Sequence, residues 1–396
     1  MSRKPGLLRA LFTGLARRLQ RLVHAAAGSF FLMLVAGCAA INPNYDRAKP
    51  HHTRAGFQNN YSGPVNKSFG ELVRWQVERV WQGLPKPPSQ PVPTQSPDLK
   101  AIRDYAGSAQ STDATGHRPP AITWVGQASM LVQTGGLNVL TDPMFSERAS
   151  PFSFLGPRRA QAPGIALAEL PLIDVVLISH NHYDHLDTAS VLDIAARSKA
   201  AGKPTLFLLP LGMKPWFTAL GISHTIEMDW WDKQEVRGVE FHFTPVQHWS
   251  ARSLGDRNTS LWGGFAVFAP DFHWYFSGDT GYSNDFADTR ARFAARQQPA
   301  NGGGFDLALI PIGAYQPRWF LAEQHIDPTE AVQVHKDLGA KRSVGVHWGT
   351  FAQSDEALDQ PPKDLAAARH AQRLPDLDFS VMAIGETRFF PARSLP

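Results

Sequence analysis

The most informative segment of this 396-residue chain reads Ile173-Asp-Val-Val-Leu-Ile-Ser-His-Asn-His-Tyr-Asp-His-Leu-Asp187. Its first half is apolar and rich in β-branched residues, which predicts a short buried strand from Val175 to Ile178. Imidazole nitrogens and carboxylate oxygens, which suit zinc and the neighbouring transition metals, then follow within six residues. These potential ligands are His180, His182, Asp184 and His185. The segment therefore predicts a metal site at the end of a buried strand.

The spacing of these four side chains indicates how they could be shared between metals. His180 and His182 stand two residues apart, so both rings can turn to the same side of an extended segment. Asp184 and His185 come where the chain begins to curl and can face a second position. A catalytic zinc takes three protein ligands and keeps one open site, so four ligands here, with more downstream, favour two metals. The alternative is a polar loop whose histidines occur by chance.

A His-x-His-x-Asp-His motif after a hydrophobic strand resembles the signature of the metallo-β-lactamase-fold hydrolases. The wider text from Leu177 to Asp187 resembles one branch of them, the N-acylphosphatidylethanolamine-hydrolysing phospholipase D family. The resemblance runs, with gaps, from about Gly56 to Phe389. Its densest passages are Leu140-Thr-Asp-Pro-Met-Phe-Ser146, Glu227-Met-Asp-Trp-Trp231, Ile310-Pro-Ile-Gly-Ala-Tyr-Gln-Pro-Arg-Trp-Phe320, Gln324-His-Ile-Asp-Pro328 and His347-Trp-Gly-Thr-Phe351.

Strand patterns dominate the chain from Ile122 onward. We expect strands at 122–125, 130–133, 139–141, 205–209, 240–244, 265–269, 273–276, 307–310, 344–346 and 380–383, and a helix at 188–197. Many strands with interspersed helices, and no regular βαβ alternation, predict an α+β fold of two packed sheets. The resemblance implies an αβ/βα sandwich of two mixed sheets flanked by helices, with the metals at one edge.

Four regions are expected along the chain. Residues 1–37 are predicted to be a lipoprotein signal peptide, and residues 38–55 a polar tether. Residues 56–118 are predicted to form an N-terminal helix and a proline-rich linker packed on the main domain. Residues 119–396 are expected to form the metallo-β-lactamase-fold catalytic domain.

The first 37 residues carry six basic side chains and no acid, and an apolar segment at 22–36 follows the basic part. That segment is too short to be read first as a membrane span, so it indicates a secretory signal. Leu34-Val-Ala-Gly-Cys38 resembles the bacterial lipobox and predicts lipidation of Cys38. Ala39, in place of Asp, favours a periplasm-facing outer-membrane location.

Cys38 is the only cysteine of the chain, which excludes a disulfide framework and a thiolate metal site. Its alternative interpretation is an inert buried thiol in a retained anchor helix. The formal charge is +4, and removing the six basic residues of the signal leaves 4 − 6 = −2. This charge gives no case for nucleic acid. We expect the partners to be a membrane phospholipid substrate and the membrane itself, with a homodimer left open.

Ser68-Phe-Gly-Glu71 is a capping box that predicts a helix to about Gln82. Apolar residues recur along it at helical spacing and are predicted to pack on the main domain, with a lipid-facing role as the alternative. This stripe is Phe69, Leu72, Val73, Val77, Val80 and Trp81. The proline-rich segment from Leu84 to Pro97 predicts an extended linker.

Three later residues, His248, Asp279 and His347, each follow a predicted strand. Taken singly, a histidine at such a place is more often a capped strand end or a satisfied core residue than a metal ligand. The resemblance implies that His180, His182 and His248 hold one zinc, that Asp184, His185 and His347 hold the other, and that Asp279 bridges them. Another divalent transition metal is an alternative. Asp142 resembles a residue that orients the ligands; the alternative is a turn residue before Pro143.

Two metals about 3.5–4 Å apart can lower the pKa of a shared water to roughly 7, which supplies a nucleophile at neutral pH. The resemblance implies attack on phosphorus and hydrolysis of N-acylphosphatidylethanolamine to phosphatidic acid and an N-acylethanolamine. Tyr183 and His325 match family residues that contact the phospholipid. His325 could also protonate the leaving alkoxide, or it could simply precede the helix capped by Asp327.

Other functions fit the same metal pattern. The activated water attacks a carbonyl carbon as readily as phosphorus, so a lactonase or a phosphodiesterase for a soluble substrate is an alternative. A non-catalytic outer-membrane scaffold is a further one. Ser250-Ala-Arg252 lacks a lysine that the family leads us to expect, which leaves the headgroup contacts open. The remaining histidines, His51 and His52 among them, match no metal motif and are interpreted as surface or core residues.

Overall fold

The computed structural model describes residues 42–63, 65, 67–107, 119–253 and 255–393. The predicted signal peptide and Cys38 lie outside these residues. Two mixed seven-stranded sheets pack on each other and helices flank them, which confirms the predicted fold class.

The bounds of the elements follow in chain order. The strands are β1 (His52–Thr53), β2 (Gly56–Phe57), β3 (Ala121–Gly126), β4 (Ser129–Thr134), β5 (Leu137–Thr141), β6 (Val175–Leu177), β7 (Leu206–Pro210), β8 (Thr225–Met228), β9 (Lys233–Val236), β10 (Val239–Thr244), β11 (Gly264–Phe268), β12 (His273–Phe276), β13 (Leu307–Pro311), β14 (Ser343–Val346), β15 (Phe379–Ser380) and β16 (Thr387–Phe389). The α-helices are α1 (Phe69–Gln82), α2 (Leu99–Gly107), α3 (Thr188–Ala200), α4 (Lys214–Ala219), α5 (Asp285–Arg292), α6 (Arg318–Leu321), α7 (Pro328–Leu338) and α8 (Gln360–Gln372).

Each sheet has an antiparallel half and a parallel half. The first sheet has the order β16-β3-β4-β5-β6-β7-β8 and is parallel from β5 to β8. The second has the order β15-β14-β13-β12-β11-β10-β9 and is parallel from β12 to β15. Parallel strands end at the same edge of a sheet. The loops after β5 and β6 therefore lie together at one edge of the first sheet, and the loops after β12 and β14 lie together at one edge of the second.

The core explains why the strand before the metal motif is uniformly apolar. Val175 and Leu177 of β6 belong to the apolar layer between the sheets. Val176 belongs to a second layer beneath α3 that includes Val191 and Phe207. A strand buried on both faces reads as a continuous hydrophobic run, as it does here.

The predicted helix at 188–197 begins where expected, with Asp187 as its N-cap, and continues to Ala200. Several strands differ from the prediction. The run predicted at 380–383 is strand only at Phe379–Ser380. Five observed strands have no counterpart in the prediction: β1, β2, β8, β9 and β16. In β9 the residues alternate between exposed and half-buried and lack an apolar run.

The segment from Asn42 to Phe57 differs from the predicted tether, because it is folded against the catalytic domain. His51 and His52 are buried and lie 2.7 and 2.9 Å from the carboxylate of Asp229. The ammonium of Lys49 contacts the same carboxylate. The contact of Lys49, His51 and His52 with Asp229 is called the N-terminal clasp. A partner about 180 positions away leaves no trace in the local sequence, so this clasp was not predicted.

Helix α1 begins at the predicted capping box, but its apolar stripe does not pack on the domain as predicted. Phe69 is 80% exposed, Val80 80% and Trp81 88%. Trp75 is the buried residue of the helix; its ring lies on Phe320 with 4.8 Å between centroids. The apolar face of α1 is therefore open, and the helix is held by Trp75 and by hydrogen bonds from Arg79 to the Ala352 and Ser354 carbonyls.

Candidate metal centre

The structure brings all seven predicted ligands together at one edge of the sandwich. They occupy loops that follow strands of both sheets. His180, His182, Asp184 and His185 lie between β6 and α3, His248 follows β10, Asp279 follows β12, and His347 follows β14.

The first cluster consists of three imidazoles. His180 Nε2 lies 2.8 Å from His182 Nδ1, and His248 Nε2 lies 3.3 Å from the same atom. Zinc–nitrogen bonds of about 2.0–2.1 Å in a tetrahedral arrangement separate ligand atoms by roughly 3.3 Å. The spacing of these three nitrogens fits one metal ion.

The second cluster consists of Asp184, His185, Asp279 and His347. The Nε2 atoms of the two imidazoles lie 3.0–3.2 Å from Oδ2 of the two carboxylates. Asp279 Oδ2 is also 4.0 Å from the Nε2 atoms of His180 and His248. Asp279 therefore lies between the clusters, where a bridging ligand is expected.

Buried polar atoms without a hydrogen-bond partner gather at this place among the described residues. They include His185 Nε2 and Asp279 Oδ1. Buried polar groups are normally paired, and bound cations would give these atoms the partner that the protein does not. The donor set, five imidazoles and two carboxylates, matches the preference of zinc.

The protonation states differ between the two clusters. Burial lowers the pKa of His182 and of His248 to about 3, and that of His180 well below its ordinary value. These rings are neutral at pH 7, as a metal ligand must be. Burial also opposes charge on His347, but Asp279 and the hydrogen bond to Asp184 outweigh it and raise the pKa of His347 to about 9. The two carboxylates beside His347 Nε2 thus favour positive charge at this position.

Asp142 lies behind the ligands and is fully buried. Its carboxylate accepts hydrogen bonds from His185 Nδ1 at 2.7 Å and from the Ser179 amide at 2.7 Å. Its φ of +34° lies in the left-handed region that non-glycine residues rarely adopt. Such contacts match the orienting role that the resemblance implies, rather than a turn residue alone.

Two orienting groups were missed from the sequence. Gln127 Nε2 donates to Asp184 Oδ2 at 2.9 Å, and the carbonyl of Gln324 lies 2.9 Å from His248 Nδ1. Gln127 stands in the turn between β3 and β4, and Gln324 acts through its main chain. Gln127 belongs to no local pattern that would have marked it. Gln324 lies in a passage that resembles the family, but nothing in the sequence assigns a role to its carbonyl.

A cavity of about 640 Å³ opens onto the clusters. Tyr183 and His325, the predicted substrate contacts, both line it. The Tyr183 hydroxyl donates to the Arg252 carbonyl at 2.8 Å, and the Arg252 guanidinium lies 4.1 Å from the Tyr183 ring centroid. His325 Nδ1 lies 3.8 Å from Asp279 Oδ2 and has no hydrogen-bond partner among the described residues. The apolar part of the lining consists largely of Phe69, Leu72, Trp75, Phe320 and Leu321.

A third group of potential ligands, His51, His52 and Asp229, lies in the N-terminal clasp. Its carboxylate is already saturated by both imidazoles, by the Lys49 ammonium and by the Trp230 amide at 2.7 Å. A cation at this place would have to displace these donors. The group is a hydrogen-bonded clasp rather than a metal site.

Comparisons with known proteins agree with this geometry. Residues 137–348 match the family model described as the β-lactamase superfamily domain. The chain is 38% identical over 277 residues to N-acyl-phosphatidylethanolamine-hydrolyzing phospholipase D 1 of Caenorhabditis elegans, which covers 67% of this chain and 74% of that protein. A mitochondrial enzyme of Saccharomyces cerevisiae with the same activity in its name is 38% identical over 253 residues, 61% of this chain and 50% of that protein. The isothiocyanate hydrolase from Delia radicum gut bacteria shares the fold, with a TM-score of 0.52, 20% identity, and coverage of 69% of this chain and 100% of that one.

The fold and the clustered ligands define a metal-dependent hydrolase of the metallo-β-lactamase superfamily. Within that superfamily, the chain belongs to the N-acylphosphatidylethanolamine-hydrolysing phospholipase D family. Both conclusions confirm the resemblance seen in the sequence.

Proposed function

We propose that this protein is a zinc-dependent phosphodiesterase that hydrolyses N-acylphosphatidylethanolamine to phosphatidic acid and an N-acylethanolamine. The observation that carries the proposal is the position of the seven-residue cluster at the base of a cavity with an apolar wall. Relatives named for this activity support the choice of substrate. Two divalent ions held by these seven residues would supply an activated water and bind a phosphoryl oxygen.

The protein's own groups prepare the ligands. His180, His182 and His248 would hold one ion, and Asp184, His185 and His347 the other, with Asp279 between them. Asp142 holds the Nδ1 proton of His185, so that Nε2 faces the cluster. Gln127 fixes the orientation of the Asp184 carboxylate by donating to one of its oxygens. Such support restricts the ligands to the geometry that binding requires.

His325 and Tyr183 are proposed to contact the substrate. His325 Nδ1 is buried beside Asp279 without a partner, so a phosphoryl oxygen or the leaving alkoxide can take that place. The ring of Tyr183 is held between the cavity and the Arg252 guanidinium, which presents a rigid surface to the lipid.

The open apolar face of α1 supports a lipid substrate. Phe69 and Leu72 line the cavity, and the same face continues to Val80 and Trp81, which are 80% and 88% exposed. Exposed apolar patches of this kind mark interaction sites. Because this one is continuous with the cavity, we propose that it rests on the bilayer and that acyl chains enter along it. Among the described helices, none has the length and apolarity needed to cross a bilayer.

The proposed attachment to the outer membrane through Cys38 rests on the sequence pattern of the first 38 residues. An acyl anchor there would hold the cavity close to its substrate and would add to the weak affinity of one apolar helix face.

The decisive experiment is incubation with vesicles containing N-acylated or plain phosphatidylethanolamine in ¹⁸O-water, with mass spectrometry of both products. Attack on phosphorus places the label in phosphatidic acid and leaves the N-acylethanolamine unlabelled. Chelation should abolish turnover, and zinc should restore it. Label in the N-acylethanolamine, or turnover that survives thorough metal removal, would contradict the proposed mechanism.

A lactone and a soluble phosphodiester serve as competing substrates in the same assay. Faster turnover of either one than of the N-acylated lipid would favour the corresponding alternative function over the proposed one.

A further inference from the structure

The N-terminal segment reaches the metal centre through Asn59, which is 3% exposed. Its Oδ1 accepts hydrogen bonds from the His248 amide and from Trp262 Nε1, both at 3.0 Å. Its Nδ2 donates to the carbonyls of His248 at 3.0 Å and Gly63 at 2.9 Å. A side-chain amide has two lone pairs and two N–H groups. All four are used, so the amide has one orientation.

The consequence for His248 is that both of its backbone polar groups are held by a single side chain. His248 lies beyond the last residue of β10, where the sheet no longer pairs its backbone. A buried backbone N–H or C=O without a partner is costly, and Asn59 satisfies one of each. The ring is held separately, because Nδ1 lies 2.9 Å from the Gln324 carbonyl. Backbone and ring together leave Nε2 facing the first cluster.

Asn59 is itself firmly anchored. The clasp of His51 and His52 on Asp229 holds the segment that precedes it. Phe57 is 2% exposed, and its amide donates to the Asn258 carbonyl at 2.8 Å. The anchored residues of this segment lie outside residues 137–348, the part that matches the superfamily domain, whereas their partners Asp229 and Asn258 lie inside it. The side chain that hydrogen-bonds both backbone groups of His248 therefore comes from outside that domain.

We infer that Asn59 is a positioning residue of the metal centre, which holds His248 in place for the ion that it shares with His180 and His182. The inference rests on the proposed metal site and does not depend on the ester that is hydrolysed. Asn59 acts through His248 alone and touches no other ligand of the cluster. The N-terminal segment is then a working part of the centre rather than a spacer.

The test compares Asn59→Ala with Asn42→Ala. Asn42 is buried in the same segment, 5% exposed, and its Nδ2 donates to the Gly56 carbonyl at 2.9 Å. Zinc affinity is measured at both sites by competition with a chromophoric chelator, and unfolding of the metal-free proteins is measured in urea. We expect Asn59→Ala to bind one zinc at least tenfold more weakly and the other normally. Asn42→Ala should keep both wild-type affinities at a similar loss of stability.

Wild-type affinity at both sites in Asn59→Ala would overturn the inference. An equal loss of affinity in Asn42→Ala would do the same, because it would indicate a general loosening of the segment. If Asn59→Ala does not fold, Asn59→Ser is measured in the same way, since one hydroxyl cannot span both backbone groups of His248. A wild-type chain that binds no zinc would instead remove the proposed function, so the two failures are distinguishable.

Discussion

His185 Nδ1 lies 2.7 Å from Asp142 Oδ2, and neither side chain is exposed. The contact joins the loop after β5 to the loop after β6. A histidine that binds a cation through Nε2 carries its proton on Nδ1, and Asp142 is the group that holds the proton there. The orientation of a ligand is therefore set by the residue that directly follows the neighbouring parallel strand, β5.

Asp142→Asn should weaken zinc binding by about 10–100-fold. An amide must point its NH₂ either at His185, which moves the ring proton to Nε2, or at the Ser179 amide, which breaks the second hydrogen bond. Chelator competition measures the change. Asp174→Asn is the matched control, because Asp174 accepts from the Asn138 amide at the opposite end of the same strands. Unchanged zinc affinity in Asp142→Asn would show that Asp142 is only a turn residue.

His325→Ala should lower kcat by about 100-fold or more, the range of a lost proton donor or phosphate contact, without changing the zinc content. His335→Ala is the comparison, since His335 is a buried histidine that contacts Ser343 Oγ at 2.8 Å away from the cavity. It should lose stability and keep its kcat. If His325→Ala retains the wild-type kcat, His325 merely precedes helix α7.

Val80→Glu should reduce binding to phospholipid vesicles several-fold, because a charge on the apolar face cannot enter the lipid without losing its hydration. Turnover of a short-chain soluble analogue should not change. Leu377→Glu is the matched control, since Leu377 is also 80% exposed but lies outside helix α1 and its apolar face. Sedimentation with vesicles separates the two variants. Equal binding by both would show that α1 does not face the bilayer.

The lowered pKa of Asp229 predicts that the folded protein loses stability in acid. Burial alone would raise the pKa of Asp229, but hydrogen bonds from His51 and Lys49 outweigh burial and hold that pKa well below its ordinary value of 3.8. The unfolded chain therefore takes up a proton first as the pH falls below about 4, and the contribution of the clasp to folding is lost there. Urea unfolding of the metal-free protein should show this loss.

The variant Asp229→Asn should be about 3 kcal/mol less stable at pH 7, because the buried imidazoles and the Lys49 ammonium lose an anionic hydrogen-bond acceptor. It should also lose less stability than the wild type between pH 5 and pH 3. A parallel pH dependence of the two proteins would mean that the clasp does not titrate in this range.

The local parts of the metal centre could be predicted from sequence. The apolar run before His180 and the spacing of the ligands within one loop require no knowledge of distant contacts. The start of α1 was equally local, because Ser68 and Glu71 satisfy each other's backbone groups within one helical turn.

The rest depended on long-range packing. Periodicity showed which face of α1 is apolar but not what covers that face, so Val80 and Trp81 were expected to be buried and are exposed. The roles of His51 and Asn59 were hidden because their partners, Asp229 and His248, lie more than 170 residues away. In the sequence Gln127 is an ordinary polar turn residue, and only the fold places it beside Asp184.

The origin of the ligands has a mechanical consequence. Each cluster combines residues that follow β6 of one sheet with residues that follow β10, β12 or β14 of the other. An ion in either cluster would thus link the two sheets of the sandwich. Displacement of one sheet relative to the other would break a bond between the ion and a ligand. Bound zinc would raise the melting temperature as well as activate water. Its removal by a chelator would weaken the contact between the two sheets before the protein unfolds.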